Sequence, residues 1–153
     1  MKISEILAKY DTDKVRDHSY GDAYNELFNR FNREDKLSIL EIGVQKGWSL
    51  KAWQDYFPNA EIIGVDIKDE REIKVGEFIL SDVKNYKTDR TFDIIIDDGS
   101  HFPNDVEFVI KNFKDKLKPN GVMIIEDIQD ESLWSGYNLM RCGNNYDDLL
   151  LII

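Results

Sequence analysis

Two short runs constrain this chain more than anything else in it. Ile94-Ile95-Ile96 and Val122-Met123-Ile124-Ile125 are apolar at every successive position. Side chains alternate between the two faces of a strand, so a strand without alternation must be covered on both sides. A parallel sheet between two helical layers meets that demand; an antiparallel sheet wetted on one face does not. Helix-period stretches lie between the runs. Trp48–Phe57 carries Leu50, Trp53, Tyr56 and Phe57 at helical spacing, with Trp53 expected in the core. Asn104–Leu117 places Val106, Val109, Ile110, Phe113 and Leu117 on one face, ahead of a Pro119-Asn120-Gly121 stop. Leu37–Val44, Glu61–Ile67, Glu77–Ser81, Phe92–Asp97 and Gly121–Ile128 read as strands. Glu131–Arg141 reads as a further helix and Asp148–Ile153 as a last strand. This alternation predicts a doubly wound α/β fold with a mainly parallel sheet. No repeat and no Pro/Gly/Ser-rich linker divides the chain, so residues 1–153 are expected to form one domain.

Doubly wound sheets bind ligands beyond the carboxyl ends of their strands. All five apolar runs end on glycine or acid: Gly43, Asp66, Asp82, Asp97-Asp98 and Glu126-Asp127. Glu41-Ile42-Gly43-Val44-Gln45-Lys46-Gly47 joins the first strand to its helix, and its glycines let backbone pass close to a ligand. Asp66 follows Gly43 by 23 residues, about where an acid meets a ribose hydroxyl in nucleotide-binding folds. A dinucleotide is the poorer fit. The Gly43-x-x-x-Gly47 spacing is not the G-x-G-x-x-G turn, and Glu41 would repel a pyrophosphate. S-adenosylmethionine, with a sulfonium and an amine, suits an acidic turn better.

Charge excludes a further class. Thirty acidic against 20 basic residues leave a net charge of -10, and no compact basic stripe interrupts it, which argues against nucleic acid as a partner. A lone cysteine, Cys142, forms no internal disulfide and fits a reducing cytoplasm. Met1 to Asp13 lacks the apolar core of a signal peptide, and the longest aliphatic run, Leu149–Ile153, is too short to span a bilayer. A cytoplasmic protein with no membrane partner is expected.

Leu40-Glu41-Ile42-Gly43, Gly64-Val65-Asp66-Ile67, Phe92 through His101 and Leu117-Lys118-Pro119-Asn120-Gly121 together resemble a class I, Rossmann-like S-adenosylmethionine-dependent methyltransferase. Asp97-Asp98-Gly99-Ser100-His101 followed by Ile125-Glu126-Asp127, with upstream Thr12-Asp13-Lys14, His18, Tyr20 and Tyr24, is more narrowly similar to the macrolide-sugar O-methyltransferases of the mycinamicin and macrocin type. The resemblance implies that Glu41 and Gly43, with Gly47 in the same turn, line the methionine part of the cofactor. Asp66 would hold the ribose, Asp82 would sit near the adenine amine, and Asp97 would border the same pocket. The segment with Tyr20 and Tyr24 would close over it. Asp98, Glu126 and Asp127 converge from neighbouring strand ends, where mutual repulsion asks for a compensating charge. A hard divalent cation such as Mg²⁺ provides one, and in the resembling enzymes these positions are metal ligands. Asp98 and His101 would be catalytic, the imidazole taking the proton of an attacking hydroxyl. The acceptor implied is a small hydroxylated molecule such as a sugar.

About 23 residues follow Asp130, which leaves room for a helix and one strand after the fifth. The expectation is therefore a C-terminally truncated sheet without its seventh strand, whose apolar edge Leu149–Ile153 is buried in a homo-oligomer. Two alternatives stay open from the sequence: a module that binds the cofactor without turnover, and a different chemistry on the same scaffold.

Overall fold

The computed structural model describes residues 1–153. Seven strands form one sheet: β1 Ser38–Ile42, β2 Glu61–Asp66, β3 Glu77–Leu80, β4 Phe92–Asp97, β5 Leu117–Ile125, β6 Asn138–Arg141 and β7 Leu149–Ile152. Their spatial order is β3-β2-β1-β4-β5-β7-β6. The first five run parallel; β7 pairs antiparallel with both β5 and β6. Helices α1 Ile3–Leu7, α2 Asp13–Arg16, α3 Gly21–Phe28, α4 Trp48–Tyr56 and α5 Pro103–Phe113 complete the fold.

The unbroken apolar runs are explained by the two cores. Ile94 and Ile96 of β4, with Val122 and Ile124 of β5, point into one core packed by α1, α3 and α4, where Trp53, Tyr24 and Phe28 are fully buried. Ile95, Met123 and Ile125 point the other way, against Val106, Val109, Ile110 and Phe113 of α5. Each such side chain contributes about 1.5–3 kcal/mol when removed from water. A polar residue at any position of these runs would face a core, whichever way it pointed.

The seventh strand is present, contrary to the expectation of a missing one. Glu131–Arg141 is not a helix: Asp130 caps a 3₁₀ turn at Glu131–Trp134, and Asn138–Arg141 is strand β6. Pairing with β7 draws this segment into the sheet, a long-range choice that local helical spacing does not report. The Leu149–Ile152 segment lies between β5 and β6, with Leu150 and Leu151 fully buried. The premise of the oligomer expectation therefore falls, because this edge is covered within the chain. The last helix is also shorter than its periodicity suggests: α5 ends at Phe113, a 3₁₀ turn covers Lys114–Lys116, and Leu117 already pairs with Phe92 in the sheet. No helix is long and apolar enough to cross a membrane.

Candidate active site

The strand order reverses at β1, which has β2 on one side and β4 on the other. Doubly wound sheets open a crevice at such a switch point. Here it is a cavity of about 630 Å³ lined by the loops after β1, β2, β3, β4 and β5. Nine acidic side chains and three lysines line it, so its field favours a cationic ligand over a phosphate.

The loop geometry follows from close backbone contact. Gly43 has φ of 83°, donates its amide to the Val65 carbonyl at 2.9 Å, and has no room for a Cβ because the Asp98 carbonyl lies there. The Asp98 amide in turn donates to the Ile42 carbonyl at 2.8 Å. Asp66 pins the same turn: its Oδ2 accepts from the amides of Val44 at 2.8 Å and Gln45 at 3.0 Å, and its Oδ1 from Lys68 at 3.0 Å. A carboxylate offers about four acceptor sites, so Asp66 keeps capacity toward the cavity. Three non-glycine residues at the cavity, Gln45, His101 and Asp127, hold positive φ of 48°, 60° and 56°. Such conformations cost on the order of 1–3 kcal/mol each and gather where side chains must be aimed.

Of the residues singled out from sequence, Gly43, Asp66, Asp82, Asp97, Asp98, His101 and Asp127 line this cavity. Glu41, Gly47, Tyr20 and Glu126 do not, and each has a physical reason. Glu41 points into the layer beneath, fully buried, where Ser49 Oγ and Trp53 Nε1 donate to its Oε2 at 3.0 and 2.9 Å. Burial, only partly offset by Lys14, pushes this carboxyl up to about 7. Burial also raises Asp97 to about 7, against the pull of the Gly99 amide. Gly47, at φ of 84°, begins α4 and packs against the Ile73 carbonyl. Tyr20 does not close over the pocket. It is fully buried, with its hydroxyl 2.5 Å from Asp127 Oδ1 and 2.8 Å from the Asp147 carbonyl, and it accepts from the Asp127 amide at 3.1 Å. Tyr24, equally buried, donates to Glu126 Oε1.

Lys14, which the sequence reading named only within a motif, organises the acids. Its ammonium lies 2.6 Å from Asp98 Oδ2, 2.8 Å from Glu126 Oε1 and 3.7 Å from Glu41 Oε1. Burial alone would lower its pKa, but the three carboxylates outweigh burial and hold it well above the usual range. The compensating charge expected from a metal is thus supplied, for Glu126, by an internal lysine.

What remains open to the cavity is a smaller set. Asp98, His101 and Asp127 bring one ligand atom each within 4.8 Å of one another. His101 Nε2 lies 3.9 Å from Asp98 Oδ1 and 3.5 Å from Asp127 Oδ2. The second histidine flanks the same carboxylate: His18 Nε2 is 3.7 Å from Asp127 Oδ1, and its Nδ1 is 3.1 Å from Asp148 Oδ1. Burial works against its protonation, while Asp127 and Asp148 more than compensate and raise its pKa. Lys14, His18, Tyr20 and Tyr24 all come from one N-terminal stretch, so a single segment supplies a partner to each of Asp98, Glu126 and Asp127.

Comparison with known proteins places this geometry in context. The chain is 30% identical, over 95% of its length, to the 8-demethyl-8-alpha-L-rhamnosyl tetracenomycin-C 2'-O-methyltransferase of Streptomyces olivaceus, of which it covers 41%. It is 29% identical, over 88% of its length, to the mycinamicin VI 2''-O-methyltransferase of Micromonospora griseorubida, of which it covers 37%. Among solved structures, the MycE methyltransferase of the mycinamycin pathway, in complex with Mg, SAH and mycinamycin VI, superposes with a TM-score of 0.73 at 29% identity. That match covers 89% of this chain and 41% of MycE. The chain thus spans about two fifths of the length of the curated relatives it matches. A family model described as a methyltransferase domain matches residues 13–149, from the helix carrying Lys14 to the first residue of β7. On that match, over nearly its whole length, the chain belongs to the methyltransferase domain family.

Proposed function

We propose that this domain binds S-adenosylmethionine in the switch-point cavity and, with Mg²⁺, carries out O-methyl transfer to a hydroxyl of a sugar or similar polyhydroxylated molecule. The observation that carries the reading is His101, held in a positive-φ conformation between Asp98 and Asp127 on the wall of an acid-lined cavity. The cofactor supplies a methyl group on a sulfonium, and Mg²⁺ supplies a Lewis acid that lowers the pKa of an acceptor hydroxyl.

The residues divide the remaining work. Asp66 and the Gly43 turn form the wall suited to a ribose, and Asp82 stands further along it, at the end of β3. Excess negative charge on the lining suits a ligand bearing a sulfonium and an amine. Asp98 and Asp127 present oxygen donors of the kind a hard divalent cation takes. His101 Nε2 receives the hydroxyl proton. Holding acceptor and cofactor in one geometry supplies much of the remaining acceleration. The sugar acceptor rests on the relatives, whose names specify rhamnosyl tetracenomycin and mycinamicin VI.

The test is label transfer from methyl-tritiated S-adenosylmethionine to those two glycosides, with Mg²⁺ and with EDTA. Transfer to a sugar hydroxyl is expected, reduced at least about tenfold by EDTA. Transfer indifferent to EDTA removes the metal from the account, and failure to label either glycoside removes the sugar.

A further inference from the structure

We propose that Lys84 and Asp105 form an ion-pair latch between the turn after β3 and the start of α5, which slows exchange of the cofactor and its product at that end of the switch-point cavity. The inference rests on the cofactor reading above and adds to it two positioning residues that touch no reacting atom.

Both residues line the cavity, Lys84 from the turn after β3 and Asp105 from the first turn of α5. Lys84 Nζ lies 2.5 Å from Asp105 Oδ1, and Ser100 Oγ donates to Asp105 Oδ2 at 2.5 Å. An acid in the first turn of a helix ordinarily serves the helix's own amides and dipole. Here each carboxylate oxygen serves a side chain from another loop. Lys84 and Ser100 together hold the Asp105 carboxyl below the usual carboxylate range, so the pair stays charged at neutral pH. Asp82 fixes where the lysine stands. Its Oδ1 accepts from the Lys84 amide at 2.8 Å, and its carbonyl accepts from the Asn85 amide at 2.9 Å.

The connection from β3 to β4 is thus tied to α5 at two points of different kind. Tyr86 stacks on Phe113, the last residue of α5, with ring centroids 6.2 Å apart. That contact is apolar and responds little to salt. The cavity end of the connection is tied by Lys84, whose side chain is 50% exposed, against 27% for Asp105. Water competes with such a pair, so it opens and closes more readily than the aromatic anchor. A ligand lodged between Asp82 and Val106 is retained while the pair is closed and released when it opens.

Stopped-flow displacement of S-adenosylhomocysteine reads the latch, with thermal melting to certify folding. Lys84→Met and Asp105→Asn are each expected to speed its release about three- to fivefold at low salt, the scale of a partly exposed ion pair. Lys84→Arg keeps the pair and stays near wild type. Wild-type release accelerates toward that of the variants as salt rises to about 0.5 M, whereas the variants change little. A role through charge alone predicts shifts of opposite sign, because one variant removes a positive charge from the lining and the other a negative one. Faster release in both variants supports the latch. Opposite shifts, or release within about 1.5-fold of wild type in both, overturn it. If Asp105→Asn fails to fold, Lys84→Met and its loss of salt dependence decide. A wild type that does not bind S-adenosylhomocysteine sinks the cofactor reading separately. The latch is then read from amide hydrogen exchange in the unliganded protein: faster exchange at Asn85 and Tyr86 in Lys84→Met supports it, and unchanged exchange overturns it.

Discussion

Replacing His101 with alanine lowers methyl transfer by about 10²–10⁴-fold, the range that a positioned general base contributes. S-adenosylmethionine affinity in the same variant stays close to wild type. The separation follows from geometry. His101 lies on the loop after β4 with Nε2 between Asp98 Oδ1 and Asp127 Oδ2, whereas the turn proposed to take the ribose is built by Gly43 and Asp66. Its φ of 60° adds a second argument. A histidine serving only to start α5 has no need of a left-handed backbone, since Phe102, the residue that caps α5, is already extended. Alanine keeps the backbone and removes the imidazole, so single-turnover transfer with pre-bound cofactor isolates the chemical step. An unchanged rate would leave His101 with a structural role only.

Gly43→Ala has the larger effect on the molecule as a whole. An alanine at φ of 83° is strained, and its Cβ would run into the Asp98 carbonyl. That obstacle is backbone, held by the hydrogen bond that the Asp98 amide donates to the Ile42 carbonyl, and cannot rotate aside as a flexible side chain would. A loss of about 2–4 kcal/mol is expected, which lowers the melting temperature by roughly 5–15 °C in a domain of this size. Because the same contact sets the distance between the β1 and β4 loops, cofactor binding weakens in whatever fraction remains folded. A melting temperature unchanged from wild type would mean that the two loops do not meet as described.

Much of this site was legible in the sequence, for a physical reason. Apolar runs with both faces buried locate the parallel strands, and a chain leaving such a strand turns polar at the carboxyl end, where ligands bind. Gly43, Asp66, Asp82, Asp98 and Asp127 are found by that rule alone. Lys14 was not legible as a buried group. It makes its contacts with residues 84 and 112 positions away, and a lysine in a short polar stretch ordinarily reads as solvated surface. A signal did exist: Glu41 and Glu126 sit at or next to the ends of apolar runs and need a counter-charge. In the sequence Glu126 is matched to a metal and Glu41 to the cofactor, and neither match points to a lysine. Tyr20 and Tyr24 stand out in the sequence by their position in a motif, yet their burial depends on α3 packing against the sheet, which the eight residues of that helix do not announce. Strand β6 escaped for a similar reason, since its partner β7 follows only after an intervening loop.

Titration calorimetry asks directly whether the switch-point cavity takes S-adenosylmethionine, as proposed. Wild type and Asp66→Ala would each be titrated with S-adenosylmethionine, with and without Mg²⁺, after melting curves establish that both are folded. The account predicts wild-type binding with a Kd on the order of micromolar. It also predicts at least about a tenfold loss in Asp66→Ala, the scale of a hydrogen bond to a charged group. No heat of binding from the wild type, with or without Mg²⁺, would contradict it and would leave the acid-lined cavity to another ligand.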